Sequence, residues 1–123
     1  MGLKVLLADD SGTMRKIIIR SLEAVGISGA TEAVDGADAL TKFQAESFDL
    51  VITDWNMPGK TGLELTKASR ETGSKVPIFM VTTEAEKQRV IDAIQAGVND
   101  YLVKPFTSDQ LREKLDKYAA AAC

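Results

Sequence analysis

The chain has 123 residues, enough for one domain with a single sizeable core. Its 45% apolar and 27% charged content is ordinary for a globular protein, and a net charge of −3 gives no general attraction to nucleic acid or an anionic membrane. It contains no histidine, which excludes every mechanism using one of its own as base, ligand or phosphoacceptor, catalytic triads and most zinc sites included.

The single cysteine, Cys123, has no partner for an intramolecular disulfide, which fits a reducing, cytoplasmic setting. No apolar run approaches a membrane span, and the N-terminus has no signal-peptide pattern. Met1-Gly2 is no myristoylation site, because Leu6 stands where Ser or Thr is required. No nucleic-acid or membrane partner is expected, and a single domain over residues 1–123, acting as a monomer, is.

Leu3 to Ala8 reads as a first buried strand that ends in acid, Asp9-Asp10. Ser11 then caps a helix with apolar positions Met14, Ile17, Ile18, Leu22 and Val25, terminated by Gly26. Ala30 to Val34 is a short, edge-like strand turned by Asp35-Gly36. A second helix follows with Ala39, Leu40 and Phe43 inward. The third strand runs through Leu50, Val51 and Ile52 and stops at another carboxylate, Asp54, before a loop with Pro58, Gly59 and Gly62. Capping boxes Thr61…Glu64, Thr83…Glu86 and Thr107…Gln110 mark three helix starts. Between them lie strands at Pro77 to Thr82 and Tyr101 to Val103, the latter closed by Lys104-Pro105. The fourth helix is expected to turn Val90, Ile91 and Ile94 inward and stop at Gly97; the fifth carries Leu111, Leu115 and Tyr118 on one face.

Strand and helix alternate five times, which predicts an α/β fold: a five-stranded parallel sheet with helices on both faces. Right-handed crossovers favour the flavodoxin-like doubly wound order 2-1-3-4-5, with a ligand crevice at the carboxyl edge between strands 1 and 3. Asp9, Asp10, Asp54, Thr82 and Lys104 all fall at that edge. Three carboxylates there repel by roughly 3 kcal/mol per pair at about 5 Å and an effective dielectric near 20. Either one is protonated and the others are solvated by loop amides, or a cation holds them. The converging hydroxyl and ammonium favour the second, and an all-oxygen site suits Mg²⁺.

A cation would also lower the charge barrier to an incoming phosphoryl group. Neither a Gly-x-Gly-x-x-Gly fingerprint nor a Walker loop is present, and Asp9-Asp10 occupies the place a flavin module gives to its phosphate loop. A haloacid-dehalogenase-type phosphatase needs a second Asp two residues after its nucleophile, and that position is Asn56. Asn exchanges no proton, so turnover of an aspartyl-phosphate would be slow, as a signalling switch requires.

Taken in order, Asp9-Asp10-Ser11, Asp54 with Met57-Pro58 and Gly62, Val81-Thr82, Gly97 and Lys104-Pro105-Phe106 resemble a bacterial response-regulator receiver domain over nearly the whole chain. Within that family the chain is most similar to the stand-alone chemotaxis regulators, on Asp54-Trp55-Asn56-Met57-Pro58, Val81 to Glu86, Gln95-Ala96-Gly97 and Lys104 to Thr107. The resemblance implies that Asp54 accepts a phosphoryl group from a histidine kinase. Asp10, Asp54 and the Asn56 carbonyl would ligate Mg²⁺, with Asp9 acting through a water. Lys104 and the Thr82 hydroxyl would hold the phosphoryl oxygens. A cis Lys104-Pro105 bond would aim Lys104.

Thr82 and Tyr101 would form the switch, changing a surface made by helix 4, strand 5 and helix 5. Lys87, Gln88, Arg89, Lys114 and Lys117 lie near that surface, which suits an acidic or amphipathic segment of a downstream target such as the flagellar motor switch. A solvated charged face is the plain alternative. Two departures from the family pattern are Gly59-Lys60-Thr61 ahead of Gly62 and Thr83 beside the site. The expected function is therefore a phosphorylation-dependent switch rather than an enzyme. The alternatives are a phosphorelay intermediate, a receiver belonging to a longer regulator, or a slow Mg²⁺-dependent phosphatase.

Overall fold

The computed structural model describes residues 3–55, 57, 60–83, 90–104 and 106–122, with the backbone alone at residues 90 and 118–122. Five strands, β1 (Val5–Ala8), β2 (Thr31–Ala33), β3 (Leu50–Asp54), β4 (Ile78–Thr82) and β5 (Asp100–Val103), form one parallel sheet in the order β2-β1-β3-β4-β5. The helices α1 (Gly12–Ala24), α2 (Gly36–Ala45), α3 (Gly62–Glu71), α4 (Val90–Ala96) and α5 (Ser108–Ala122) connect and cover them. This is the expected doubly wound fold.

Both faces of the sheet are covered, so its central strands are apolar until their carboxyl ends, where Thr53, Asp54 and Thr82 stand, and still obey the two-residue alternation. Val5 and Leu7 of β1 join Leu50, Ile52, Phe79 and Val81 under Ile18 and Leu22 of α1 and Leu111 and Leu115 of α5. Leu6 and Ala8 point the other way, into a second cluster with Val51, Met80, Ala39 and Leu65. Removing a side chain such as Leu7 or Ile52 costs about 2–5 kcal/mol, since neither cluster has solvent to collapse into.

The helix starts behave as the residues dictate. Ser11 Oγ accepts the Met14 N–H, and Asp35, expected only to turn the chain, caps α2 by accepting the Asp38 N–H. Thr61 with Glu64 and Thr107 with Gln110 form complete reciprocal capping boxes. The Thr83…Glu86 box lies outside the described residues. Gly26 ends α1 at φ 89°, the left-handed conformation that needs no Cβ.

Three apolar residues expected inside face outward: Ile17, Ile91 and Ile94. On α1 the seam is Ile18 and Leu22, four apart, and Ile17 sits about 100° off it. Among the described side chains of α4, which do not include Val90, the buried one is Ala93, and Ile91 and Ile94, three apart, share the opposite side at 67% and 51% exposure. A two-turn helix buries a narrow stripe, and the small residue takes it.

Candidate functional site

The strand registers deliver the acidic residues to one edge. Ala8 pairs with Thr53 and Asp54 with Val81, while Thr82 pairs with Val103, so Asp9, Asp54, Thr82 and Lys104 all stand at the carboxyl ends of neighbouring strands. One carboxylate oxygen from each of Asp9, Asp10 and Asp54 lies within 4.8 Å of the others. Asp9 and Asp54 are buried, and Asp10 is exposed at the mouth.

Lys104 Nζ lies 3.1 Å from Asp54 Oδ1 and 3.6 Å from Asp9 Oδ2. It extends from the end of β5, and its N–H donates to the Thr82 carbonyl at 2.7 Å, continuing the ladder beyond the strand. Asp54 Oδ1 also accepts the Trp55 N–H at 2.9 Å. Burial pushes the Asp54 carboxyl above its ordinary value, and the charge of Asp9 adds to this, while the Lys104 ammonium and the Trp55 amide act the other way. Among the described residues, Lys104 is the ammonium paired with two members of this three-carboxylate group.

Asp9 Oδ1 accepts the Ser11 N–H at 2.8 Å, but Oδ2 is buried without a hydrogen bond. Burying such an oxygen costs free energy unless something coordinates it. Three convergent carboxylates, one buried oxygen with an ion pair to Lys104 but no hydrogen bond, and an open mouth at Asp10 fit a hard divalent cation that keeps several waters, as Mg²⁺ does. Asp9, Asp10 and Asp54 thus form an acidic group that could hold such a cation.

Thr82 is buried at the same edge, its hydroxyl donating to the Thr83 carbonyl at 3.3 Å. Asn56, Pro58, Pro105 and Lys87, Gln88 and Arg89 lie outside the described residues, and so does the expected cis bond. Gly62 is required at its position: a Cβ there would stand 2.2 Å from the Asp54 carbonyl oxygen. Tyr101 on β5 is half-buried, with Lys114 Nζ 5.2 Å from its ring centroid. Lys114 and Lys117, expected to present charge to a partner, both reach Asp100, at 2.8 and 3.7 Å.

Two contributors went unnoticed in the sequence. The Trp55 amide is backbone, and carries no residue signal. Arg15 donates to the Asp9 carbonyl at 2.7 Å, and the available hint was a cation in the first turns after two aspartates.

A flavodoxin-like sheet with this acidic crevice and a lysine at the end of β5 defines the receiver class of fold. The chain belongs to the response regulator receiver domain family, whose profile matches residues 5–116. It is 47% identical over 117 residues to the chemotaxis protein CheY of Pseudomonas aeruginosa, covering 94% of each chain. Among solved structures it is similar to the Vibrio cholerae chemotaxis protein CheY4, with a TM-score of 0.84 at 37% identity over 94% of this chain and 97% of that one. It also resembles the receiver domain of the sensor histidine kinase PA1611 of P. aeruginosa, solved with a magnesium ion coordinated in the active-site cleft. That match has a TM-score of 0.84 at 30% identity, over 95% of this chain and 97% of that one. No helix among the described residues is long and apolar enough to cross a membrane.

Proposed function

We propose that the chain is a phosphorylation-dependent switch of chemotaxis-type signalling, in which Asp54 takes a phosphoryl group from a histidine kinase. The observation that carries this reading is the lysine bridge: Lys104 spans Asp54 and Asp9 in a crevice lined by a third carboxylate. A cation pinned between two carboxylates at the end of a buried strand is poised to move onto a new anion when one of them is esterified.

In the reaction, an Asp54 oxygen attacks phosphorus and the bond to the kinase imidazole breaks, leaving an acyl phosphate on Asp54. Oδ1 is held by the Trp55 N–H and Lys104, so Oδ2 is the oxygen not so engaged among the described residues. Bound Mg²⁺ would neutralise the transferring oxygens, held by Asp10, Asp54 and the Asn56 carbonyl, with Asp9 acting through a water. Lys104 and the Thr82 hydroxyl would take the remaining phosphoryl oxygens. Asn56 in place of a proton-exchanging Asp would keep the product long-lived.

The output would run through Thr82, drawn toward the phosphoryl group, and Tyr101, turning inward in response. That changes the α4–β5–α5 face toward a downstream target, which the resemblance to chemotaxis regulators implies could be the flagellar motor switch. Incubation with acetyl phosphate and Mg²⁺, followed by intact mass, tests the reading. A lasting gain of one phosphoryl group supports a switch; rapid catalytic release of phosphate without a lasting adduct supports a phosphatase instead.

A further inference from the structure

Asp9 is held from several sides. Its N–H donates to the Ala33 carbonyl at 3.1 Å, extending the β1–β2 ladder, and its Oδ1 accepts the Ser11 N–H. Its carbonyl oxygen accepts Arg15 Nη1 at 2.7 Å. The same guanidinium donates through Nε to Glu32 Oε1 at 2.9 Å, so Arg15 on α1 ties the end of β1 to β2. Its side chain is only 16% exposed, against 46% for Glu32. Only Oδ2 of Asp9 is left for the crevice.

We propose that Arg15, oriented by Glu32, is a positioning residue that fixes the Asp9–Asp10 peptide and so aims both carboxylates at the cation pocket. The inference rests on the proposed reading of that pocket as a Mg²⁺ site. The Asp9 carbonyl and the Asp10 N–H belong to one planar unit, so a bond to the oxygen sets the plane from which Asp10 departs. The residue must be arginine because a planar fork reaches two acceptors in fixed directions, and a lysine ammonium does not.

There is a competing effect. A guanidinium close to a cation pocket repels a divalent ion, and the Glu32 carboxylate offsets this only in part. If charge alone mattered, removing Arg15 would tighten Mg²⁺ binding. If orientation matters more, its loss weakens binding even when the charge is kept.

Mg²⁺ titrations of the wild-type chain and of Arg15→Lys, Arg15→Met and Glu32→Gln decide between these, followed by Trp55 fluorescence and by calorimetry. Thermal unfolding without Mg²⁺ serves as the folding control, and the Asp10 amide resonance reports the peptide directly in the metal-free protein. Orientation predicts a roughly tenfold weaker Mg²⁺ affinity for Arg15→Lys, as for other outer partners of metal ligands. It also predicts a smaller loss in the same direction for Glu32→Gln, an exposed change that keeps the fold, and a displaced Asp10 resonance in both. Wild-type affinity in Arg15→Lys and Glu32→Gln, or tighter binding in Arg15→Met, overturns the proposal while leaving the Mg²⁺ site standing. A wild-type chain that binds no Mg²⁺ removes the site and this inference together.

Discussion

Lys114 of α5 sets its ammonium 2.8 Å from the carboxylate of Asp100 on β5 and 5.2 Å from the ring of the next residue, Tyr101. Asp100 is buried, and its other oxygen has no hydrogen bond. The pair therefore fastens the last helix to the last strand, beside the residue proposed to switch.

Breaking a buried pair from its exposed side should hurt more than breaking it from its buried side. Lys114→Met leaves a buried carboxylate with the Tyr101 N–H at 2.9 Å and Lys117 at 3.7 Å and should cost about 2 kcal/mol. Asp100→Asn removes the buried charge and frees Lys114 to water, so it should cost less than about 1 kcal/mol. Urea unfolding of both variants checks the order. The hydrogen bond to Asp100 raises the Lys114 ammonium above its ordinary 10.5, so its contribution is complete below that pH and is lost as pH climbs through the folded value. The gap between wild type and Lys114→Met should shrink there.

Asp54 works against stability when it is ionised. Its folded carboxyl sits above the ordinary 3.8, chiefly through burial, so folding favours its protonated form. That contribution is present below 3.8 and lost as pH rises through the folded value. At neutral pH and without Mg²⁺, Asp54→Asn should therefore melt a few degrees higher than wild type. The difference should disappear in acid. Calorimetric scans across pH would show it, and a lower melting point for the variant at neutral pH would contradict the assignment of the strain.

Gly62 should be intolerant of a methyl group although it performs no chemistry. A Cβ would stand 2.2 Å from the Asp54 carbonyl oxygen and 3.0 Å from Met80 Sδ, and the backbone oxygen cannot step aside as a side chain would. Gly62→Ala should destabilise by about 1–3 kcal/mol and slow labelling by acetyl phosphate. Wild-type stability with wild-type labelling would mean that the α3 start is free to shift.

Much of this was legible beforehand because strand burial and helix caps are local. Leu50 to Ile52, the Ser11 cap and the Thr61 and Thr107 boxes need only neighbours a few residues away. The gathering of Asp9, Asp10, Asp54, Thr82 and Lys104 followed from strand order alone. What escaped needs the third dimension. The helical period groups Ile91 with Ile94 but does not say that Ala93 faces the core. Arg15 with the Asp9 carbonyl, and Asp100 with Lys114, join different elements, and no spacing along the chain announces them.

The central claim is that Asp54 is the acceptor, and chemical trapping tests it most directly. Borohydride converts an aspartyl phosphate, but not a free aspartate, to homoserine, so mass mapping after acetyl phosphate, Mg²⁺ and reduction marks the acceptor. The account predicts the mark at position 54 in wild type, little of it when Asp10→Ala removes a proposed metal ligand, and none in Asp54→Asn. A mark at Asp9 or Asp10 in the wild-type chain, or undiminished labelling of Asp54→Asn, would contradict it.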